Sequence, residues 1–314
     1  MESSASTVGV AGRRRLTTRR VLGRDWATAW LFLLPSTLVL VGLIAYPFLS
    51  AIVLTFQDKT VGSPGRWVGL QNYADLLGGG AGGIFWQAVV NTVVYTLVAI
   101  VGKFILGMAQ ALLLHESFPG RMVMRGIFFL PWAIPSLIVA LTWKWIYAGT
   151  QVGLLNIIQM QLGLSRDLVQ WLANPNLAMW SVIAVVIWQG TPFWSMMFLA
   201  GLQAISGELY EAAAIDGASV FQRFWHVTLP GLENVIAITF MLSTIWTANG
   251  INYVYILTGG GPGGATMTFP MLAYEVGIAG AQRLGEGATI ALCFFPFFLV
   301  LIYFLSRRML AGNQ

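Results

Sequence analysis

ELYEAAAIDGASVFQRFWHVTLP, Glu208–Pro230, interrupts two long apolar runs with charge and glycine. Glu208, Glu211, Asp216 and Arg223 are too dense here for hydrocarbon, where ionisable groups are costly. Glu208–Ile215 is expected to form a short helix: Ala212, Ala213 and Ala214 are the best helix formers, and Glu211 near the start suits the helix dipole. The alanines give a narrow face that another protein can approach closely. Gly217 can turn the chain where other residues cannot. Phe221, Phe224 and Trp225 then offer apolar anchors of the kind that dominate interfaces, and Pro230 stands at the first turn of the next run, where proline is tolerated.

The flanking chain sets what this interruption separates. Of the 314 residues, 57% are hydrophobic and 9% charged, whereas a soluble domain carries about 25% charged residues. Mean hydropathy is +0.74. Apolar runs occur near 27–56, 85–114, 123–147, 176–203, 232–257 and 287–306, each long enough to cross a bilayer, which takes about 20 residues. Backbone hydrogen bonding in lipid makes such runs helices. The first run is longer than a signal peptide's apolar region of roughly 7–15 residues and has no small-x-small cleavage site, so a retained helix is expected. Residues 1–24 form a Ser/Thr/Arg-rich tail.

Charge orients the spans. A net charge of +5 could suggest nucleic-acid binding, but Arg13, Arg14, Arg15, Arg19, Arg20 and Arg24 cluster just before the first span. With six spans and both termini cytoplasmic, eleven basic residues fall inside and four outside. Residues 204–230 then lie in the cytoplasm. Of the outer segments, 57–84 and 258–286 are glycine-rich. The spacing of Leu154, Leu155, Ile157 and Ile158, then Leu168, Val169, Trp171 and Leu172, predicts short amphipathic helices at the interface. Pro35, Pro47, Pro131, Pro135, Pro192 and Pro296 all fall within spans, where freed carbonyls need other partners.

Several chemistries lack their residues. The three lysines are Lys59, Lys103 and Lys144, and none completes a G-x-x-x-x-G-K-[ST] nucleotide loop. No Asp or Glu lies near the centre of a span, as coupling to an ion gradient would favour, although Lys103 and Lys144 do lie within spans. Cys293 is the single cysteine, so no intrachain disulfide forms. His115 and His226 have no cysteine or carboxylate cluster beside them, and no metal site is expected. A membrane-embedded enzyme would need paired carboxylates or a His-containing triad on one face, and neither is apparent. A receptor or scaffold would leave the Glu208–Pro230 spacing unexplained. A pore driven by a separate engine is the favoured reading.

Glu211-Ala212-Ala213, then Gly217, then Val227-Thr228-Leu229-Pro230 resembles the E-A-A-x3-G-x9-I-x-L-P loop of ABC-transporter permeases, with valine for isoleucine. Tyr255–Thr266 (YILTGGGPGGAT), Asp216-Gly217-Ala218, Leu130–Pro135 (LPWAIP) and Gly69–Tyr73 (GLQNY) are similar to the F-type subunit of maltose-type carbohydrate importers, in a shorter six-span form. The similarity runs from about residue 27 onward. It implies an all-α membrane protein with the type I importer permease fold, a permease domain over 25–314 and a coupling loop over 204–230.

What else the resemblance implies concerns partners and sites. Glu211, Ala212, Ala213, Asp216, Gly217 and Phe221 would contact an ATPase subunit that binds ATP and magnesium, leaving this chain without a cofactor. A G-type second permease, an ATPase dimer and an external solute-binding protein are the implied partners. Sugar-contacting positions would fall on Trp132, Gly190, Phe193, Ser243, Trp246 and Gly250. Gly250 stands where the maltose-type subunit has asparagine, and Asn249 beside it is the candidate to contact the sugar in its place. Independently, Ser243, Trp246 and Gly250 share one helical face, and Trp188–Phe193 (WQGTPF) offers aromatic and amide groups such as sugar sites combine. A polyol or glycerol phosphate is the alternative cargo; a phosphate would favour basic groups facing the path, with Lys103 and Lys144 the candidates.

Overall fold

A computed structural model of the chain describes residues 26–78, 82–165 and 167–311. The expected tail at 1–24 lies outside them. Two compact units result, one ending at Ala51 and one beginning at Ile52.

α1 (Trp26–Leu40) runs through a widened π turn at Val41–Ala45 into α2 (Tyr46–Leu54), within which the first unit ends. Pro47 explains the turn. It has no N–H to donate and its ring crowds the carbonyl four residues back, so the ladder shifts and Tyr46 N–H bonds Val41 O instead.

The second unit is helical apart from a two-residue antiparallel pairing of β1 (Gln57–Asp58) with β2 (Arg66–Trp67). Its helices are α3 (Gln71–Gly78), α4 (Gly82–His115), α5 (Arg121–Ala133), α6 (Ser136–Ile146), α7 (Leu154–Gln161) and α8 (Pro175–Ala204). Then follow α9 (Gly207–Ile215), α10 (Val220–Arg223), α11 (Leu229–Gly231), α12 (Glu233–Asn249), α13 (Asn252–Leu257), α14 (Phe269–Tyr274), α15 (Leu284–Cys293) and α16 (Phe295–Ala311). Among the described residues, five helices are long and apolar enough to span a bilayer, or six if the bent pair α5–α6 is one span.

That bent pair departs from the expected single helix over 123–147. The axes of α5 and α6 meet at 90°. Pro135 decides this: it pushes the residue before it out of the helical region, so Ile134 is extended at φ −78, ψ 132, and a new helix starts at Ser136. The fifth expected span is also interrupted, at Gly250 between α12 and α13.

The core is built on α4 against α8. Glycine on one helix repeatedly meets a large side chain on the other, which lets the backbones approach. A Cβ on Gly107 would stand 2.6 Å from Trp194 Cβ, and one on Gly102 would collide with Ile187. Around this pair Trp194 and Phe198 are fully buried with Ile100, Leu114 and Leu232, while Tyr95, Val182 and Val185 pack with Val139, Val254 and Met271. Trp194 Nε1 donates to Ser243 Oγ at 3.0 Å, tying α8 to α12.

Side-chain amides hold the connecting segments. Asn72, buried in α3, donates to the carbonyls of Thr55 (2.8 Å) and Gln57 (3.0 Å). Asn91 of α4 donates to Gly264 O and Met267 O, fastening the glycine-rich segment. The helix expected around Leu154–Ile158 forms as α7. Around Leu168–Leu172 the chain is irregular instead, because Asn156 captures the Val169 backbone at both its N–H (3.1 Å) and its carbonyl (3.2 Å).

Candidate functional site

Where α4, α8 and α12 meet the α5–α6 break, they border an open cavity of about 200 Å³. Trp132, Gly190, Phe193, Ser243, Trp246 and Gly250, all singled out from the sequence, line it together. Asn249 does not. Its side chain is exposed and its amide donates back to Ile245 O at 2.9 Å, so it does not stand in for the side chain that Gly250 lacks.

The wall is aromatic. Trp132 and Phe193 stack with centroids 6.2 Å apart and planes at 19°, and Phe193 meets Trp246 at 5.2 Å and 58°. Trp246 keeps 54% of its surface open and Trp132 44%, so ring faces remain free beside the cavity. The break at Ile134–Pro135 contributes directly: Gln189 Nε2 donates to the Ile134 carbonyl at 2.8 Å, a group the interrupted helix leaves without its usual partner.

Beyond the six expected sugar contacts the lining holds Lys103, expected as a basic group facing the path, Gln189 of the WQGTPF stretch, and Tyr95, Val186, Thr247 and Tyr253. Lys103 is buried and donates to Thr247 Oγ1 at 2.9 Å. The signal for it was present, since an ionisable residue within a span marks a functional site by default. Gln189 sits inside the WQGTPF stretch, but which face of the span looked into a cavity was not readable from one helix.

The Glu208–Pro230 segment is assembled by local capping. Ser206 Oγ accepts from Glu208 N–H, starting α9. At its end Asp216 N–H bonds Ala212 O, Gly217 N–H bonds Ala214 O and Ala218 N–H bonds Ala213 O, with Gly217 at φ +77. This is a Schellman closure, and it requires the left-handed conformation that glycine adopts freely. Ser219 and Gln222 then form a reciprocal capping box that opens α10. A second π turn, Phe224–Thr228, precedes Pro230, as the first precedes Pro47.

No residue of α9 is buried. Glu211 and Ala212 are exposed, Ala213 is half-buried, and Ile215, Val220, Phe221 and Trp225 present large open apolar surfaces. Beside them Ala213, Asp216, Gly217 and Arg223 border an indentation of about 240 Å³. Of the three expected anchors, Phe224 turns inward to pack with Leu202 and Leu232, leaving Phe221 and Trp225 outside.

Two helices lead from this surface to the cavity. α8 runs unbroken from Phe193 to Ala204, roughly 16 Å at 1.5 Å per residue. Its end is clasped to the start of α12: a Cβ on Gly201 would press on Leu232 at 2.5 Å, and one on Gly231 on Ile205 at 2.7 Å.

A helical membrane protein with a polar–aromatic cavity, joined by continuous helices to an exposed apolar segment, has the parts a transport component needs. The chain belongs to the family of binding-protein-dependent transport system inner membrane components, which residues 103–312 match. It is 37% identical to the trehalose/maltose transport system permease protein of Thermococcus litoralis, covering 87% of this chain and 91% of that one. It is 32% identical to the sulfoquinovosyl glycerol transport system permease protein of Agrobacterium fabrum, covering 86% of each. The fold matches a crystal structure of a bacterial ABC transporter involved in import of the acidic polysaccharide alginate, with a TM-score of 0.79, 23% identity, and coverage of 94% of this chain and 99% of that one. The protein is therefore a multi-pass permease subunit of an ABC importer, a transport subunit rather than an enzyme.

Proposed function

We propose that this permease carries a carbohydrate, and that its cargo occupies the cavity bounded by Trp132, Phe193 and Trp246. The observation carrying this is the cavity's chemistry. Aromatic faces suit the apolar faces of a pyranose, while Gln189, Ser243 and Thr247 supply the few placed polar groups that fix a ligand. The trehalose/maltose and sulfoquinovosyl glycerol permeases among its relatives support the class.

In this reading a G-type permease completes the path, an external solute-binding protein delivers the cargo, and an ATPase dimer binding ATP and magnesium docks on Glu211, Ala212, Ala213, Asp216, Gly217 and Phe221. Both termini and residues 204–230 face the cytoplasm. Closure of the ATPase would displace α9, and the clasped ends of α8 and α12 would carry that displacement as rigid rods to Phe193 on one and Trp246 on the other.

The test is ATP hydrolysis and uptake by the reconstituted complex with its binding protein, scanned over sugars and over polar solutes such as polyols and glycerol phosphate. Sugar-stimulated hydrolysis is expected. Glu211→Lys should leave the complex assembled and hydrolysing ATP but without uptake. Normal uptake by that variant would remove the coupling role, and stimulation by non-sugars alone would remove the carbohydrate assignment.

A further inference from the structure

We infer that the solute passing this cavity bears an anionic group, a carboxylate, sulfonate or phosphate on a hydroxylated body, and that Lys103 is its counter-charge. This rests on the carbohydrate reading above and narrows it.

Lys103 is only 5% exposed, and the cavity it lines contains no Asp or Glu. An ammonium has three donors. Among the described residues, Lys103 uses one of them, on the neutral hydroxyl of Thr247. Burying a charge without a partner of opposite sign is costly, and it is offset by an ion pair, by a ligand, or by loss of the proton. Lys144, the other lysine within a span, is different: its side chain is exposed and bonds the Ile256 carbonyl, clasping α6 to α13 away from the cavity.

The fold makes room to hold Lys103 where it is. Its stem lies over Gly190, where a Cβ would come within 2.5 Å of Cε and 3.1 Å of Nζ. Long cationic side chains in membranes usually extend toward an aqueous surface. This one lies across the neighbouring helix at Gly190, a position without a side chain, which keeps its amine at the cavity wall.

The remaining polar atoms specify the rest of the ligand. Gln189 is fixed by its bond to Ile134 O, and its Oε1 is buried with no partner, an acceptor that suits a ligand hydroxyl. Ser243 accepts from Trp194 and keeps its own proton to donate. A cation, an acceptor and a hydroxyl donor between aromatic faces fit an acidic sugar derivative. A neutral sugar would leave the Lys103 ammonium without a counter-charge.

The full complex with its binding protein, in proteoliposomes, should be offered an equimolar mixture of maltose, trehalose, a glucuronate-terminated disaccharide and glucose 6-phosphate, with internal solutes read by mass spectrometry. The acidic members should accumulate over the neutral ones. Lys103→Met should cut their uptake by about tenfold or more, the scale of a charge-assisted hydrogen bond, while Lys103→Arg keeps most of it. Wild-type preference for the neutral sugars overturns the inference, and that comparison requires no variant to fold. Equal loss in both Lys103 variants also overturns it, by assigning the lysine to packing. Accumulation of no carbohydrate of either kind would overturn the carbohydrate reading, and this inference with it.

Discussion

At the scale of single residues, the cavity depends on what is missing as much as on what is present. Gly190 leaves room for the Lys103 stem, while Trp246 supplies the cavity's most exposed ring. Trp246→Ala is expected to lower uptake in the reconstituted complex by tenfold or so, with little change in assembly on size exclusion, because a half-open ring contributes more to ligand contact than to packing. Unchanged uptake would take Trp246 out of the site. Gly107 has the opposite character. Gly107→Val drives a branched side chain into Trp194 and should lower complex stability by about 1–3 kcal/mol, read as a fall in its detergent melting temperature.

Elements show how punctuation residues shape the membrane helices. Pro135 breaks α5 from α6 at 90°, and the carbonyl freed at Ile134 becomes the acceptor that fixes Gln189. Pro47 and Pro230 each follow a π turn, where the ladder steps aside rather than breaking. In the Glu208–Pro230 segment, the Ser219–Gln222 box is the start signal for α10. Ser219→Ala should remove about 1 kcal/mol of local stability. Faster amide exchange confined to 220–230, with the long helices unchanged, is the expected outcome; exchange spread across α8 would show that the cap stabilises far more than its own turn.

For the whole molecule, sidedness is the claim with most reach. The count of basic residues puts Ser219 in the cytoplasm and Gly264 outside. In a Cys293→Ser background, Ser219→Cys should react with an impermeant maleimide only in inverted vesicles and Gly264→Cys only in right-side-out ones. Reversed labelling would separate the Glu211 surface from any cytoplasmic ATPase. The clasp between α8 and α12 makes this topology mechanically useful, since Leu232 seats against Gly201 at one end while Phe193 and Trp246 face each other at the other.

Sequence by itself determined the class: an all-α membrane protein, the apolar runs that become its long helices, and a charged interruption with its own stop and start signals. Those properties are written in hydropathy, charge counts and short-range capping, which act over a few residues and need no distant partner. Six of the cavity's lining positions were pointed to by the family resemblance, and spacing alone put only Ser243, Trp246 and Gly250 on one helical face. Only tertiary structure decided the rest. That Lys103 crosses to Gly190 and Thr247, that Gln189 reaches Ile134, and that Asn249 turns away while Phe224 turns inward all depend on how α4, α8 and α12 rotate against one another. Helix rotation is set by side-chain packing between segments about 50 to 150 residues apart, such as Gly107 against Trp194 and Lys103 against Thr247, and no local pattern encodes it.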